Sequence, residues 1–68
     1  MEVKLPHDDK ELYGTVVGLC LDKNRRIIGT PDANPYMNSV LYHIKFKDGT
    51  TAAYGGNVIA ENMLSQVE

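Results

Sequence analysis

Tyr42-His43-Ile44-Lys45-Phe46-Lys47-Asp48-Gly49, followed by Tyr54 and then by Asn57-Val58-Ile59, is the stretch that decides the fold. Val40, Tyr42, Ile44 and Phe46 fall on one face of it, and Leu41, His43, Lys45 and Lys47 on the other. A period of two is that of a half-buried strand. Asp48-Gly49 supplies a tight hairpin turn, so residues 50–54 read as the returning strand. Gly55-Gly56 breaks that strand, and Asn57 offers an N-cap for a helix from 58 to about 66. Within it Ile59, Met63, Leu64 and Val67 fall at i, i+4, i+5 and i+8, one apolar stripe for packing on the sheet.

Upstream, residues 12–21 carry Tyr13, Thr15, Val16, Val17, Leu19 and Leu21, a β-rich composition. Gly14 and Gly18 weaken a helix there and suggest bends or bulges of a curved strand. Residues 3–5 form a short strand that Pro6 stops, because proline cannot donate to a central ladder. Residues 7–10 are a charged turn and 22–25 another, with a brief pairing over 26–28 before Gly29. Residues 30–39 hold Pro31 and Pro35 among Asp32, Asn34 and Asn38, and read as a loop long enough to carry function. The expectation is a mostly β domain spanning 1–68: a small bent antiparallel sheet or partly open barrel of about four or five strands, with one C-terminal helix.

Sixty-eight residues make one domain at most, close to the size at which a core needs every apolar side chain. With 43% hydrophobic and 24% charged residues the chain lies outside the disordered class. A net charge of −2 argues against a domain built on phosphate contacts. One cysteine, Cys20, gives no internal disulfide and suits a reducing compartment. No apolar run approaches the roughly 18–20 residues of a membrane span, and the N-terminus lacks a signal-peptide pattern. The expected setting is soluble and intracellular, the nucleus included. The end at Ser65-Gln66-Val67-Glu68 suits a piece of a longer chain as well as a complete small protein.

No catalytic, metal or cofactor arrangement is readable. His7, His43 and Cys20 lack metal-ligand spacing, and His43 near Asp48 has no nucleophile beside it in any motif. Gly55-Gly56-Asn57 lacks the Lys-Ser/Thr pair of a phosphate loop. Binding is left, and small barrels are suited to it. Tyr42, Phe46 and Tyr54 read first as core and hairpin packing. Tyr36, in the long loop, is the aromatic that core packing explains least. With Tyr13 or Tyr54 opposite it and Asp32 steering the cation, it is the candidate wall of a site for a basic or methylated peptide such as a histone tail. The nucleic-acid alternative uses Arg25, Arg26, Lys45 and Lys47, a thin set of cations on an acidic domain.

The chain also resembles a family. Gly14-Thr15-Val16-Val17, Asp22 with Ile28-Gly29, Asn34-Pro35, the hairpin of residues 42–49, and Asn57-Val58-Ile59-Ala60-Glu61-Asn62-Met63 with Ser65-Gln66-Val67 look like the small domain between integrase and reverse transcriptase in copia-like and gypsy-like retrotransposon polyproteins. The last of these stretches is the most specific. The Gly-Thr-Val-Val strand and the Tyr-x-Ile-x-Phe-x-Asp-Gly hairpin are similar, over a shorter length, to chromo and Tudor barrels. Asn38-Ser39 depart from the Asp-Thr of that pattern, and Gly55-Gly56 replace stiffer residues. The resemblance implies a non-catalytic accessory module near an integrase, acting on chromatin or on the integration complex, and brings no ligand residues with it. A structural spacer or dimerisation piece is the remaining alternative.

Overall fold

A computed structural model describes residues 2–65. Four strands, β1 (Glu2–His7), β2 (Lys10–Leu19), β3 (Leu41–Phe46) and β4 (Thr51–Gly55), form one antiparallel meander in chain order. The helix α1 (Gly56–Ser65) follows β4 without a loop. The expected bent sheet with a C-terminal helix is therefore what the chain forms, as a curled half-barrel.

The curl comes from β2, whose two halves serve different neighbours. Residues 10–15 pair with β1, from His7↔Lys10 to Glu2↔Thr15, and residues 14–19 pair with β3. Between Val16↔Ile44 and Gly18↔His43 the register shifts by one, leaving Val17 as the extra residue of a bulge. A bulge bends its strand and increases local twist, so the second half of β2 turns away from the first. Gly14 serves a different purpose. Its position faces Phe46 across the sheet, and a Cβ there would run into Ile44 Cγ2 and lie 3.1 Å from Phe46 Cδ1.

Proline does not stop β1. Pro6 pairs with Glu11 inside the strand, which is tolerable because β1 is an edge and one side of it has no ladder to lose. The turn is correspondingly shorter than 7–10. Only Asp8 and Asp9 lie outside the strands, both at positive φ (50° and 62°), the backbone of a two-residue type I′ hairpin. Aspartate reaches that region more easily than most residues.

Val3, Leu5, Ile44, Phe46 and Ile59 form the buried core, with Leu12, Val16, Tyr42, Ala52, Tyr54 and Val58 packed around it. The inward face of β3 is the one that alternation assigns, although Tyr42 is only partly buried. His43, Lys45 and Lys47 point outward and are exposed. The half-barrel's open side is drawn together by two contacts. Tyr54 on β4 donates its hydroxyl to the Pro6 carbonyl on β1. His7 stacks on Phe46 with centroids 4.3 Å apart and planes 10° from parallel. Its Nε2 lies 2.8 Å from Thr50 Oγ1, which itself donates to Asp48 Oδ1 at 2.6 Å. Thr50 has one hydroxyl proton, so His7 Nε2 must be the donor to it.

The helix begins at Gly56, two residues before the expected start. Asn57 therefore sits in its first turn, with its N–H donated to the Asn38 carbonyl at 2.6 Å, while Gly56 N–H bonds the Val40 carbonyl at 2.9 Å. Of the expected stripe only Ile59 is buried; Met63 is 36% and Leu64 60% exposed, and Val67 lies outside the described residues. Helical geometry explains the miss. An i+5 neighbour is about 140° around the axis from Ile59, so Leu64 cannot share its face. Val58, Ala60 and Asn62 are half-buried beside it, the Asn62 amide returning to the Val58 carbonyl at 2.8 Å.

The long connection between β2 and β3 is ordered by its own polar side chains. Leu21 and Ile27 form a single bridge around a turn that Asp22 ties, its carboxylate accepting from Asn24 and Arg26 N–H. Thr30 and Ser39 exchange hydrogen bonds across the base of the loop. Within it, Pro35–Met37 form a 3-10 turn where no regular structure was expected, capped by the Asn34 side chain accepting from Tyr36 N–H at 3.0 Å.

Candidate functional site

The concave side of the half-barrel is not filled to its mouth. A groove of about 270 Å³ opens where the bent end of β2, the 3-10 turn, β3 and α1 converge. Val16 and Tyr42 form its floor from the sheet, Pro35 and Asn38 one wall, and Gly56, Ile59, Ala60 and Met63 the other. None of these side chains is charged.

Asn38 fixes the geometry of the groove. Its carbonyl accepts from Asn57 N–H, its Oδ1 from Val40 N–H at 3.2 Å, and its Nδ2 donates to the Tyr42 hydroxyl at 3.3 Å. One residue thus ties the loop, the start of α1 and β3 together. Gly56 permits the approach: a Cβ at that position would lie 2.6 Å from Asn38 Nδ2. The Gly55-Gly56 pair is a close-packing device at a strand–helix junction as well as a strand terminator.

The tyrosines singled out from the sequence do not converge. Tyr13 pairs with Lys4 between the inward positions Leu12 and Gly14, so it stands on the outer face, 49% exposed. There the Lys4 ammonium lies over its ring, 5.7 Å from the centroid. Tyr54 is on the inner face, edge-on to Phe46 at 6.4 Å and 79° and bonded through its hydroxyl to Pro6. Tyr13 and Tyr54 therefore occupy opposite sides of one sheet. Tyr36 is 44% exposed on the 3-10 turn beside the groove residue Pro35, and no ring contact joins it to another aromatic among the described residues. Asp32 turns its carboxylate onto Asn34 N–H at 2.8 Å.

The cations of the nucleic-acid alternative are also divided. Lys47 is held by Glu2 at 2.8 Å, which lowers the Glu2 carboxyl below its ordinary range and raises Lys47 above its own. Lys45 stands beside that pair at a shallow hollow of about 300 Å³ on the outer face. Arg25, at φ 61°, and Arg26 belong to the Asp22 turn in the connection between β2 and β3. Asp48 is held below the usual carboxylate range by hydrogen bonds from the Thr50 hydroxyl and N–H. Among the described residues no group of three or more His, Cys, Asp or Glu is placed to hold a metal ion.

Sequence reasoning missed the groove-forming set of Asn38, Gly56, Ala60 and Met63. The signal that was available is the pair of glycines at the start of a helix, which marks a close backbone approach. Its partner, Asn38, is eighteen positions away in the chain and only the fold identifies it. Comparison of the chain with protein-family models, curated proteins and solved structures finds no match in any of the three.

Proposed function

We propose that this domain is a non-catalytic interaction module of a retroelement polyprotein, and that it binds a peptide segment of basic character from chromatin or from the integration complex. The observation that carries the reading is the groove: apolar walls without a charged side chain, set at the mouth of a half-barrel and held open by Asn38. Such a site recognises shape and apolar surface. The sequence resemblance, most specific over residues 57–63 with 65–67, supports the polyprotein setting.

The test is a titration of the isotope-labelled domain against a panel of histone-tail peptides and a short DNA duplex. Shifts confined to α1, the 3-10 turn and the bent end of β2 on adding a peptide are the expected result. Shifts on the outer face around Lys45 with DNA alone would replace this reading with nucleic-acid binding. An unperturbed spectrum with both ligands at millimolar concentration leaves the structural spacer.

A further inference from the structure

We infer that the free edge of β4 is a self-association surface, taken by β4 of a second copy of this chain, paired antiparallel about a two-fold axis at Ala53.

Ladder geometry identifies the backbone groups that point out of the sheet. Along an antiparallel strand the N–H and C=O of one residue point the same way, and the direction alternates. Phe46 N–H bonds the Thr50 carbonyl and Gly56 N–H bonds the Val40 carbonyl, so residues 50, 52, 54 and 56 face β3. Thr51, Ala53 and Gly55 therefore face away from it, on a side where β4 has no neighbouring strand. Thr51 and Ala53 are exposed, and no hydrogen bond from the described residues reaches the backbone N–H or C=O of either. Groups in such a row are a template for one more strand.

The two edges of the sheet differ in how they are protected. Lys47 N–H bonds the Tyr13 carbonyl, so Leu12 and Gly14 face β1, and their partners Leu5 and Val3 face back. The outer edge of β1 is thus built by Glu2, Lys4 and Pro6. Charged side chains and proline are the usual means of blunting an edge. Pro6 has no N–H, and its carbonyl is already taken by the Tyr54 hydroxyl. From Thr51 to Gly55 there is no charge and no proline, and the pairing of β4 with β3 has no bulge. That edge is left open to pairing.

Self-complementarity selects the occupant. A two-fold contact requires one patch to match itself. About an axis at Ala53, the N–H and C=O of the two Ala53 residues exchange hydrogen bonds, and each Gly55 N–H meets the other copy's Thr51 carbonyl. On the outer face Ala53 stands against Ala53 and Thr51 against Gly55, all small. On the inner face Tyr54 stands against Ala52, a ring beside a methyl group. The nearest titratable side chains are one strand further in, Lys45 beside Thr51 and His43 beside Ala53. The two His43 residues would lie ~14 Å apart, three strand spacings, so no like charges are opposed. The same axis placed on β1 would set Lys4 against Lys4. With so short a strand and such small side chains the contact is weak, and the dimer is concentration-dependent.

The experiment uses the labelled chain without any added ligand, so it stands apart from groove binding. On raising the concentration from micromolar to millimolar, amide shifts should centre on Thr51, Ala53 and Gly55, and sedimentation should report a dimer. A mixed-label sample should give an intermolecular contact between the α-protons of Ala52 and Tyr54, which this register brings together. Ala53→Pro deletes an N–H that the fold does not use and should abolish the dimer. If that variant fails to fold, Ala53→Lys and Ala53→Glu, changes at an exposed position, should each weaken the dimer about fivefold. Mixing those two variants should restore it, because the axis sets the new charges against each other. A chain that stays monomeric at millimolar concentration overturns the proposal, as does a dimer that the Ala53 variants leave unchanged. Concentration-dependent shifts centred on another face overturn it as well, and failure of the mixed variants to recover overturns the axis at Ala53.

Discussion

The Tyr54 hydroxyl donates to the Pro6 carbonyl and so joins β4 to β1, the two edge strands of the sheet. The bond spans the seam of the half-barrel beside the His7 contacts with Phe46 and Thr50. Tyr54→Phe keeps the ring against Phe46 and deletes only the bond. It should destabilise the domain by about 0.5–1.5 kcal/mol in chemical denaturation, with amide exchange near His7 and Thr50 accelerated. Exchange unchanged at both strand edges would show that the seam closes without this contact.

Ile44 lies at the centre of the core with no solvent exposure, opposite Val16 on one side and Ala52 on the other. Ile44→Ala should cost about 2–5 kcal/mol, since Gly14 beside it has no side chain to relax into the space. In a domain of this size that is a large part of the whole stability. A thermal midpoint equal to the parent's would contradict the assignment of this face to the core.

Ending the chain after Asn57 removes Ile59, the one helix residue in the buried core among the described residues, and uncovers Val3 and Leu5. The four strands alone should then lose cooperative unfolding and dispersed amide signals. Sharp, dispersed spectra from the shortened chain would mean that the sheet is self-sufficient.

Acid and base should act through different residues. Glu2 and Asp48 are held below their ordinary carboxyl range in the folded state, Glu2 chiefly by the Lys47 hydrogen bond and Asp48 chiefly by the Thr50 hydroxyl. Each contributes stability that is present above the unfolded carboxyl pKa and lost as pH falls through the lowered folded value. Lys47 is raised by Glu2, so its contribution is full below the unfolded lysine pKa and lost as pH rises through the folded one. All three are solvent-exposed, and screening keeps the effects small. Thermal midpoints followed against pH should show a shallower acid limb in Glu2→Gln and Asp48→Asn, and a shallower alkaline limb in Glu2→Gln alone. Identical alkaline limbs in parent and Glu2→Gln would remove the ion pair from the account.

Tyr36 and the Lys45/Lys47 pair separate the binding readings. Neither substitution touches the buried core, so Tyr36→Ala and a Lys45→Ala, Lys47→Ala double variant should both remain folded. Peptide binding beside Pro35 should weaken in Tyr36→Ala and be unaffected by the lysine changes. The opposite pattern, with DNA affinity falling and its salt dependence reduced, would place the interface on the outer sheet face.

What the sequence determined by itself is the part governed by local rules. Alternation from Val40 to Lys47 assigns the inward face, and Asp48-Gly49 sets the hairpin. The β-rich, glycine-interrupted run before Asp22 makes a bent strand, and the chain closes on a helix. Each of these depends on neighbours in the chain, through side-chain period or turn stereochemistry. Tertiary structure decided the rest. Pro6 stays within β1 because that strand is an edge, a fact about sheet order that no local pattern holds. The helix starts at Gly56 because Val40 and Asn38 supply acceptors for its first N–H groups from across the fold. Tyr13 and Tyr54 are divided by the sheet, and the groove exists only where Asn38 meets Gly56 and Tyr42. A site of this kind is assembled from residues far apart in sequence, and its shape depends on the curl that the Val17 bulge gives the sheet.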